Sequence, residues 1–248
     1  MNPFYTPYTL TMIAAVLTGS WLLRGSQKSL PLTASEKLGL GIGCFCGAMI
    51  GAKLPFVFSN YADFLSGVAW FAHGKTIICG LVGGYFGVEL AKWVMEIRTK
   101  TGDTFAVPVA ISVAIGRLAC FQGGCCFGTE TNLPWGVCFP MTDGDNLIFR
   151  HPTQLYEALF HLCMALVLLN LLRRNVFSGQ LVKFYFICYF GYRFLTEWIR
   201  PEPEIVASLT GYQWGAIIFI PVFAWLWYKD AAALKREATV QSNHNITG

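Results

Sequence analysis

Two stretches of this sequence place charged side chains inside apolar segments. The first reads GRLACFQGGCCFG from Gly116 to Gly128 and carries Arg117 within an otherwise apolar run. The second contains Arg193 and Glu197, which are spaced i, i+4 and therefore share one face of a helix. An arginine at the centre of a membrane-spanning helix costs about 2.5–3.5 kcal/mol, so both stretches indicate a functional site.

These residue types suit the binding of a phosphate group. Guanidinium groups are planar, permanently charged donors that match phosphate oxygens in two-point contacts. Arg117 and Arg193 with one carboxylate, Glu197, leave net positive charge, and Arg200 lies one further turn along. The pattern predicts a site for an anionic phospholipid headgroup. The alternative is a structural network of ion pairs between helices.

A third candidate stretch is HPTQLYEA, which begins at His151. The free pKa of histidine lies near neutrality, so His151 could act as a base or donate to phosphate. It could equally be the N-cap of a helix whose first residue is Pro152. Gln154 and Glu157 are spaced i, i+3 on one face, and we expect Glu157 to point into a helix bundle.

The nine cysteines have no clear metal-binding pattern. Cys120, Cys125 and Cys126 form C-x4-C-C, and the second matching half of a zinc motif is missing. We therefore expect no metal, and we predict that most cysteines are small buried hydrophobic residues. A disulfide or a reactive thiol at Cys125 and Cys126 stays open as an alternative, although adjacent cysteines form a disulfide only with strain.

The composition indicates the elements that must position these residues. The chain has 248 residues, of which 54% are hydrophobic and 13% charged, which is too apolar for an ordinary soluble domain. We predict an all-α, polytopic membrane protein forming a single integral-membrane domain over residues 1–248. Its seven expected spans are about Tyr8–Leu23, Glu36–Phe58, Lys75–Ile97, Phe105–Phe121, Pro152–Leu172, Leu181–Ile199 and Tyr212–Tyr228.

The basic residues predict the orientation of the chain. Lys and Arg are concentrated at alternate ends of the spans, as expected for cytoplasmic ends. This places the N-terminus outside, the C-terminus in the cytoplasm and residues 229–248 in a polar, frayed cytoplasmic tail. The net charge of +4 follows from this asymmetry and does not indicate nucleic-acid binding. Arg117, His151, Arg193 and Glu197 then fall at one depth near the outer face.

The order of these motifs resembles the prolipoprotein diacylglyceryl transferase family. GRLACFQGGCCFG is followed by LPWGVCFP, HPTQLYEA and YRFLTEWIRPEP, and the similarity extends to GYQWGAIIFIP in the seventh span. The positions that match the family are Tyr8, Arg117, Phe121, Gly124, Gly128, Arg193 and Glu197. The family's asparagine falls at Cys120 and its glutamate at Cys125, and its third-helix histidine is missing near Ile78, Cys79 and Gly80.

The resemblance implies an enzyme of the bacterial inner membrane. Such enzymes move a diacylglyceryl group from phosphatidylglycerol to the thiol of a prolipoprotein cysteine, release glycerol phosphate and need no cofactor. The expected catalytic residues are Arg117, His151, Arg193 and Glu197. The expected substrate-binding residues are Tyr8, Gly124, Gly128, Gln154, Tyr156, Glu157 and Arg200.

Three other functions stay open. The departures at Cys120 and Cys125 would fit a divergent paralogue that uses another acceptor. A transporter or non-catalytic lipid-binding protein is possible, although only one interrupted segment, at Gly123–Gly124, is visible where paired broken helices are expected. A thiol-redox membrane protein is the third.

Overall fold

The structure is a computed structural model that describes residues 5–59, 76–139 and 147–247. The described residues form seven α-helices, and each overlaps one of the seven predicted spans. The helices are α1 (Tyr5–Ser26), α2 (Ala34–Ser59), α3 (Ile77–Val94), α4 (Gly102–Gln122), α5 (Thr153–Arg173), α6 (Leu181–Thr196) and α7 (Gly211–Thr247). The protein is therefore mostly helical, as predicted.

Five of the seven helices in the described ranges, α2 to α5 and α7, are long and apolar enough to cross a membrane. Helix α6 has only 16 residues, and α1 has 22 residues whose threonines, serines and glycines lower its hydropathy. The finding supports a polytopic membrane protein. The predicted start of the third span at Lys75, and most of the connection before it, lie outside the described residues.

Two boundary predictions are wrong. Helix α7 continues to Thr247, so residues 229–247 are helical rather than frayed, which fits the strong helix formers Ala, Leu, Lys and Arg there. Helix α5 begins at Thr153 with Pro152 as its N-cap, so His151 does not cap it. Proline at this position has no N–H to leave unpaired, which makes it a suitable residue just before the first turn.

The chain divides into two compact units, Ser29–Lys100 and the rest. Within the first unit, α2 and α3 pack against each other through glycines. A Cβ atom added at Gly47 would lie 2.3 Å from the carbonyl oxygen of Gly83, and one added at Gly51 would lie 2.3 Å from that of Cys79. The glycines therefore allow close backbone contact, as their number in both spans predicted. The predicted single domain stays a prediction.

In the other unit, α4 packs against α1, α5 and α6, and α6 also packs against α7. Tyr185, Tyr189 and Phe190 of α6 are fully buried, with Phe223 of α7 against Phe190. The connection from α4 to α5 contains β1 (Val137–Cys138), which pairs antiparallel with β2 (Phe149–Arg150). A second pair, β3 (Glu204–Val206) and β4 (Leu209–Thr210), precedes α7. These short pairs fix the segments that enter α5 and α7.

Candidate active site

A carboxylate from α5 lies at the centre of the candidate site. Glu157 is fully buried, and its two oxygens accept hydrogen bonds from arginines of two other segments. Arg117 of α4 donates from Nη2 to Oε1 over 2.8 Å, and Arg200 donates from Nη2 to Oε2 over 2.8 Å. Tyr189 of α6 adds a hydroxyl hydrogen bond of 2.6 Å to Oε1. We call Glu157, Arg117, Arg193 and Arg200 the Glu157 cluster.

Arg193 joins this cluster to a second carboxylate. Its Nη2 lies 2.8 Å from Oε2 of Glu197, as the i, i+4 spacing predicts, and its Nη1 lies 3.9 Å from Oε2 of Glu157. Glu197 also accepts a 3.0 Å hydrogen bond from the Thr210 hydroxyl. The guanidinium carbon of Arg193 lies 4.5 Å from the centre of the Tyr212 ring, a distance at which the ring attracts the positive charge.

The cluster carries net positive charge and spare donors. Three arginines face the two carboxylates Glu157 and Glu197, so one positive charge is left uncompensated. Within the described residues, three buried guanidinium nitrogens have no hydrogen-bond partner: Nε of Arg117, Nη1 of Arg193 and Nε of Arg200. Buried donors without partners are costly, and an anion with several oxygens could satisfy all three.

A histidine and two tyrosines extend the cluster along α5 and α6. Tyr185 Oη lies 2.8 Å from Nδ1 of His161, and His161 Nε2 lies 3.9 Å from Oε1 of Glu157. Sequence reasoning did not include Tyr185 and Tyr189 in the site. The signal was present, because Tyr185, Tyr189, Arg193 and Glu197 recur every four residues on one helical face.

The turn after α4 is held in place by the first residues of α5. The side-chain amide of Gln154 donates to the carbonyl of Cys125 over 2.7 Å, and the Thr153 hydroxyl donates to the carbonyl of Cys126 over 2.7 Å. Gly124 has φ 61°, which a glycine adopts without strain. Gly128 has no room for a side chain, because a Cβ there would lie 2.5 Å from the Ile199 carbonyl oxygen.

The turn brings three thiols together, which the spacing of the cysteines did not predict. The Sγ atoms of Cys120, Cys125 and Cys126 all lie within 4.8 Å of one another, and we call them the thiol cluster. All nine cysteines are free thiols. Four of the nine cysteines, including Cys125 and Cys126, are exposed and the other five are partly exposed, so the prediction that most are small buried hydrophobic residues is wrong.

The pKa values of Cys125 and Cys126 in this cluster are shifted in opposite directions. Hydrogen bonds from the Cys120 and Cys125 side chains lower the pKa of Cys126, and the positive charges of Arg117 and Arg200 lower it further. Hydrogen bonds with the Cys120 and Cys126 side chains raise the pKa of Cys125. The two adjacent thiols therefore differ in acidity, and the arginine charges act on Cys126.

The other predicted site residues surround the turn at different places. Tyr8 of α1 packs against it, since a Cβ at Gly123 would lie 3.0 Å from Tyr8 Cδ2. Tyr156 accepts a 2.7 Å hydrogen bond from Trp135 Nε1. His151 Nδ1 lies 3.4 Å from the Tyr156 hydroxyl, and no contact in the described residues joins His151 to the Glu157 cluster.

Fold and site together define a polytopic, helical membrane protein with a buried cluster of arginines around Glu157. A family model described as prolipoprotein diacylglyceryl transferase matches residues 5–229, so the chain belongs to this family.

Several curated relatives carry the name phosphatidylglycerol–prolipoprotein diacylglyceryl transferase. The protein of Clostridium tetani is 28% identical over 203 residues, which cover 79% of each chain. That of Geobacter sulfurreducens is 28% identical over 227 residues, covering 87% of this chain and 86% of the relative. That of Pseudomonas savastanoi is 29% identical over 240 residues, covering 89% and 88%. These relatives do not favour a transporter, a non-catalytic lipid-binding protein or a paralogue with another acceptor.

Proposed function

We propose that the protein transfers a diacylglyceryl group from phosphatidylglycerol to the thiol of a prolipoprotein cysteine. The observation that carries the proposal is the convergence of Arg117, Arg193 and Arg200 on one buried carboxylate, Glu157, with a guanidinium nitrogen of each arginine left without a partner. The family and the names of the relatives give the reaction; the cluster supplies a binding site for the phosphate.

The reaction replaces a phosphate ester by a thioether. The acceptor sulfur attacks the terminal glycerol carbon of the diacylglyceryl group, and the bond from that carbon to the phosphate oxygen breaks. Glycerol phosphate leaves with the electron pair, so negative charge develops on its oxygen. Donors of Arg117, Arg193 and Arg200 stabilise this charge in a buried setting, where preorganised donors act most strongly.

The remaining predicted residues have supporting roles in the proposal. Gln154 and the backbone of Gly124 and Gly128 shape the turn beside the arginines. Tyr8 packs against Gly123 of the turn, Tyr156 is held by Trp135, and Glu197 holds Arg193 in position. His151 stays a candidate base on chemical grounds, because histidine is the side chain that most often acts as a general base.

The finer membrane topology is also a proposal. All seven helices span the inner membrane of a bacterium, with the N-terminus outside and the C-terminus in the cytoplasm, within one integral-membrane domain. Helix α1 exposes Leu10, Leu17 and Trp21, which suits contact with lipid despite its lower hydropathy. Helix α6 is short and largely buried, so neighbouring helices rather than lipid surround much of it.

The test is an assay of the purified protein in vesicles of phosphatidylglycerol with a lipobox peptide. Mass spectrometry should detect a diacylglyceryl thioether on the peptide cysteine and released glycerol phosphate. Arg200→Ala should lower the rate about 100-fold or more, as loss of one charge-stabilising donor commonly does. Arg173→Ala, at the exposed end of α5, is the matched control and should keep full activity. Full turnover in Arg200→Ala would contradict the site.

A further inference from the structure

We propose that the thiol cluster of Cys120, Cys125 and Cys126 binds Zn²⁺ and that the open fourth position of the metal takes the acceptor thiol as a thiolate. Metal binding stands on the geometry of the cluster alone. The second part rests on the proposed function, because it describes how the acceptor cysteine becomes a nucleophile.

The spacing of the three sulfurs fits a zinc site. They lie within 4.8 Å of one another, and tetrahedral Zn²⁺ with Zn–S bonds of about 2.3 Å holds its sulfurs about 3.8 Å apart. Side-chain rotations smaller than a full rotamer change can close this difference. In the described residues, the cluster offers three ligand atoms, one per cysteine. Three protein ligands with a fourth position for water or substrate are typical of catalytic rather than structural zinc.

The backbone holds the thiols together without the metal. Gln154 and Thr153 bind the carbonyls of Cys125 and Cys126, and the amide of Cys125 donates to the carbonyl of Cys120 over 3.1 Å. Cys126 itself has φ 63°, an unfavourable conformation for a residue with a side chain. Such a conformation persists only where surrounding contacts impose it, and it commonly occurs at binding sites.

The charges around the cluster suit the complex. Zn²⁺ with three thiolates carries a net charge of −1, which positive charges nearby stabilise. The positive charges of Arg117 and Arg200 act on the Cys126 sulfur. The site therefore favours an anionic metal–thiolate centre next to the arginines that would hold the phosphate of the lipid.

The metal would supply a nucleophile that the carboxylates of the site are poorly placed to generate. An unperturbed cysteine thiol has a pKa of about 8.5, so most of it is protonated at neutral pH. Glu157 and Glu197 are both held in ion pairs with arginines, so their oxygens are already occupied by these partners. A thiol that coordinates Zn²⁺ is deprotonated outright. The proton would pass to solvent, and Cys120, Cys125 and Cys126 would hold the metal so that the acceptor sulfur reaches the glycerol carbon as a thiolate. No atom is oxidised or reduced, and glycerol phosphate leaves with the electron pair of the broken C–O bond.

Co²⁺ is the probe for the first part, because its thiolate complexes absorb strongly in the near ultraviolet and its visible bands report coordination number. Reduced, metal-free full-length protein in detergent should bind one Co²⁺ per chain with both features, and Zn²⁺ should displace it. Cys120→Ser and Cys126→Ser should each weaken Co²⁺ binding more than tenfold. Cys163→Ser, which changes an exposed thiol of α5, is the matched control and should bind normally. Absence of the thiolate band, its persistence in the triple Cys→Ser variant, or a disulfide within the cluster would overturn the site.

The second part is tested with a lipobox peptide in the absence of lipid. The cysteine peptide should shift the visible bands of the Co²⁺ protein, and a peptide with serine in its place should not. Equal spectra with the two peptides would overturn the thiol-binding role. In the transfer assay, metal-free protein should lose activity and Zn²⁺ should restore it. Unchanged activity without metal would overturn the metal's role and leave the proposed transfer reaction intact. If the zinc-loaded protein binds the peptide thiol yet transfers nothing from phosphatidylglycerol, the reaction is wrong and the metal site stands.

Discussion

At the scale of single residues, the site depends on how Glu157 balances three arginines. A buried ion pair adds little by itself, because desolvation offsets most of the Coulomb attraction. Removing one partner is far more costly, because it leaves a buried charge without compensation. Glu157 contacts Arg117, Arg200 and Arg193, so its loss would affect all three at once.

We therefore expect Glu157→Gln to destabilise the protein strongly. The substitution keeps the size of the side chain and removes the charge, so the loss should be about 3–5 kcal/mol, the range for a broken buried pair. The measurement is thermal or denaturant unfolding of purified protein in detergent. Glu204→Gln in the exposed strand β3 is the control and should stay within about 0.5 kcal/mol. Equal stability of the two variants would show that the cluster is held by packing rather than charge.

Part of this cluster could be predicted from the sequence. Arg117, Arg193 and Glu197 stand out because charges inside apolar segments are costly, and their pairing follows from helical spacing. The thiol cluster could not be predicted in this way. Cys120 and Cys125 are five positions apart in the sequence, and their sulfurs come together only because Gly124 and Cys126 adopt positive φ in the turn and α5 holds that turn in place. His151 was predicted as a base from the chemistry of its side chain alone. Its position depends on the loop before α5, whose sequence has no periodic pattern.

At the scale of elements, the glycines of α2 and α3 set how closely the two helices pack. On the sides where the two helices meet, backbone atoms lie directly against backbone atoms. Gly43 lies against Gly87, Gly47 against Gly83, and Gly51 against Cys79. Membrane helices gain little from the hydrophobic effect, because lipid tails are as apolar as their side chains, so such close packing supplies much of the attraction.

Gly47→Ala should separate these helices and lower stability. Its Cβ would lie 2.3 Å from the Gly83 carbonyl oxygen and 2.9 Å from Gly87 Cα, and backbone atoms cannot rotate aside. We expect a loss of about 1–3 kcal/mol, the usual cost of overpacking, in the same unfolding measurement.

Gly41→Ala is the matched control on the same helix, because no described atom would lie within 4 Å of its Cβ. It should be neutral or stabilise by about 0.5–1 kcal/mol through better helix propensity. A loss in Gly41→Ala equal to that in Gly47→Ala would attribute the effect to glycine itself rather than to helix contact.

Helix positions were the part of the fold that the sequence predicted best. Apolar runs of the sequence located all seven described helices, although only five of these helices are long and apolar enough to cross a membrane. The ends of the helices were predicted less accurately than their positions. The continuation of α7 to Thr247 contradicts a boundary drawn by hydropathy, because polar residues such as Lys and Glu form helices as readily as apolar ones.

At the scale of the whole molecule, the predicted orientation can be tested with reporters. A fluorescent protein joined after Gly248 should fold and fluoresce, since this end is expected in the cytoplasm. A phosphatase that is active only outside the cytoplasm should be active when inserted at Asn132, in the connection between α4 and α5. The reverse insertions serve as controls and should be inactive. Phosphatase activity at Gly248 would show that the topology is the reverse of the predicted one and that the arginine site lies in the cytoplasmic half of the membrane.

The ion pair between α4 and α5 also bears on how the protein is made. Arg117 enters the membrane 40 residues before Glu157 is synthesised, and Arg193 and Arg200 come later still. Until α5 arrives, α4 would carry an unpaired charge that costs about 2.5–3.5 kcal/mol in the insertion machinery. We therefore expect α4 to remain in the insertion machinery until α5 is made and then to enter the bilayer together with α5. The ion pair of Arg117 and Glu157 would then be the first part of the site to form during biosynthesis.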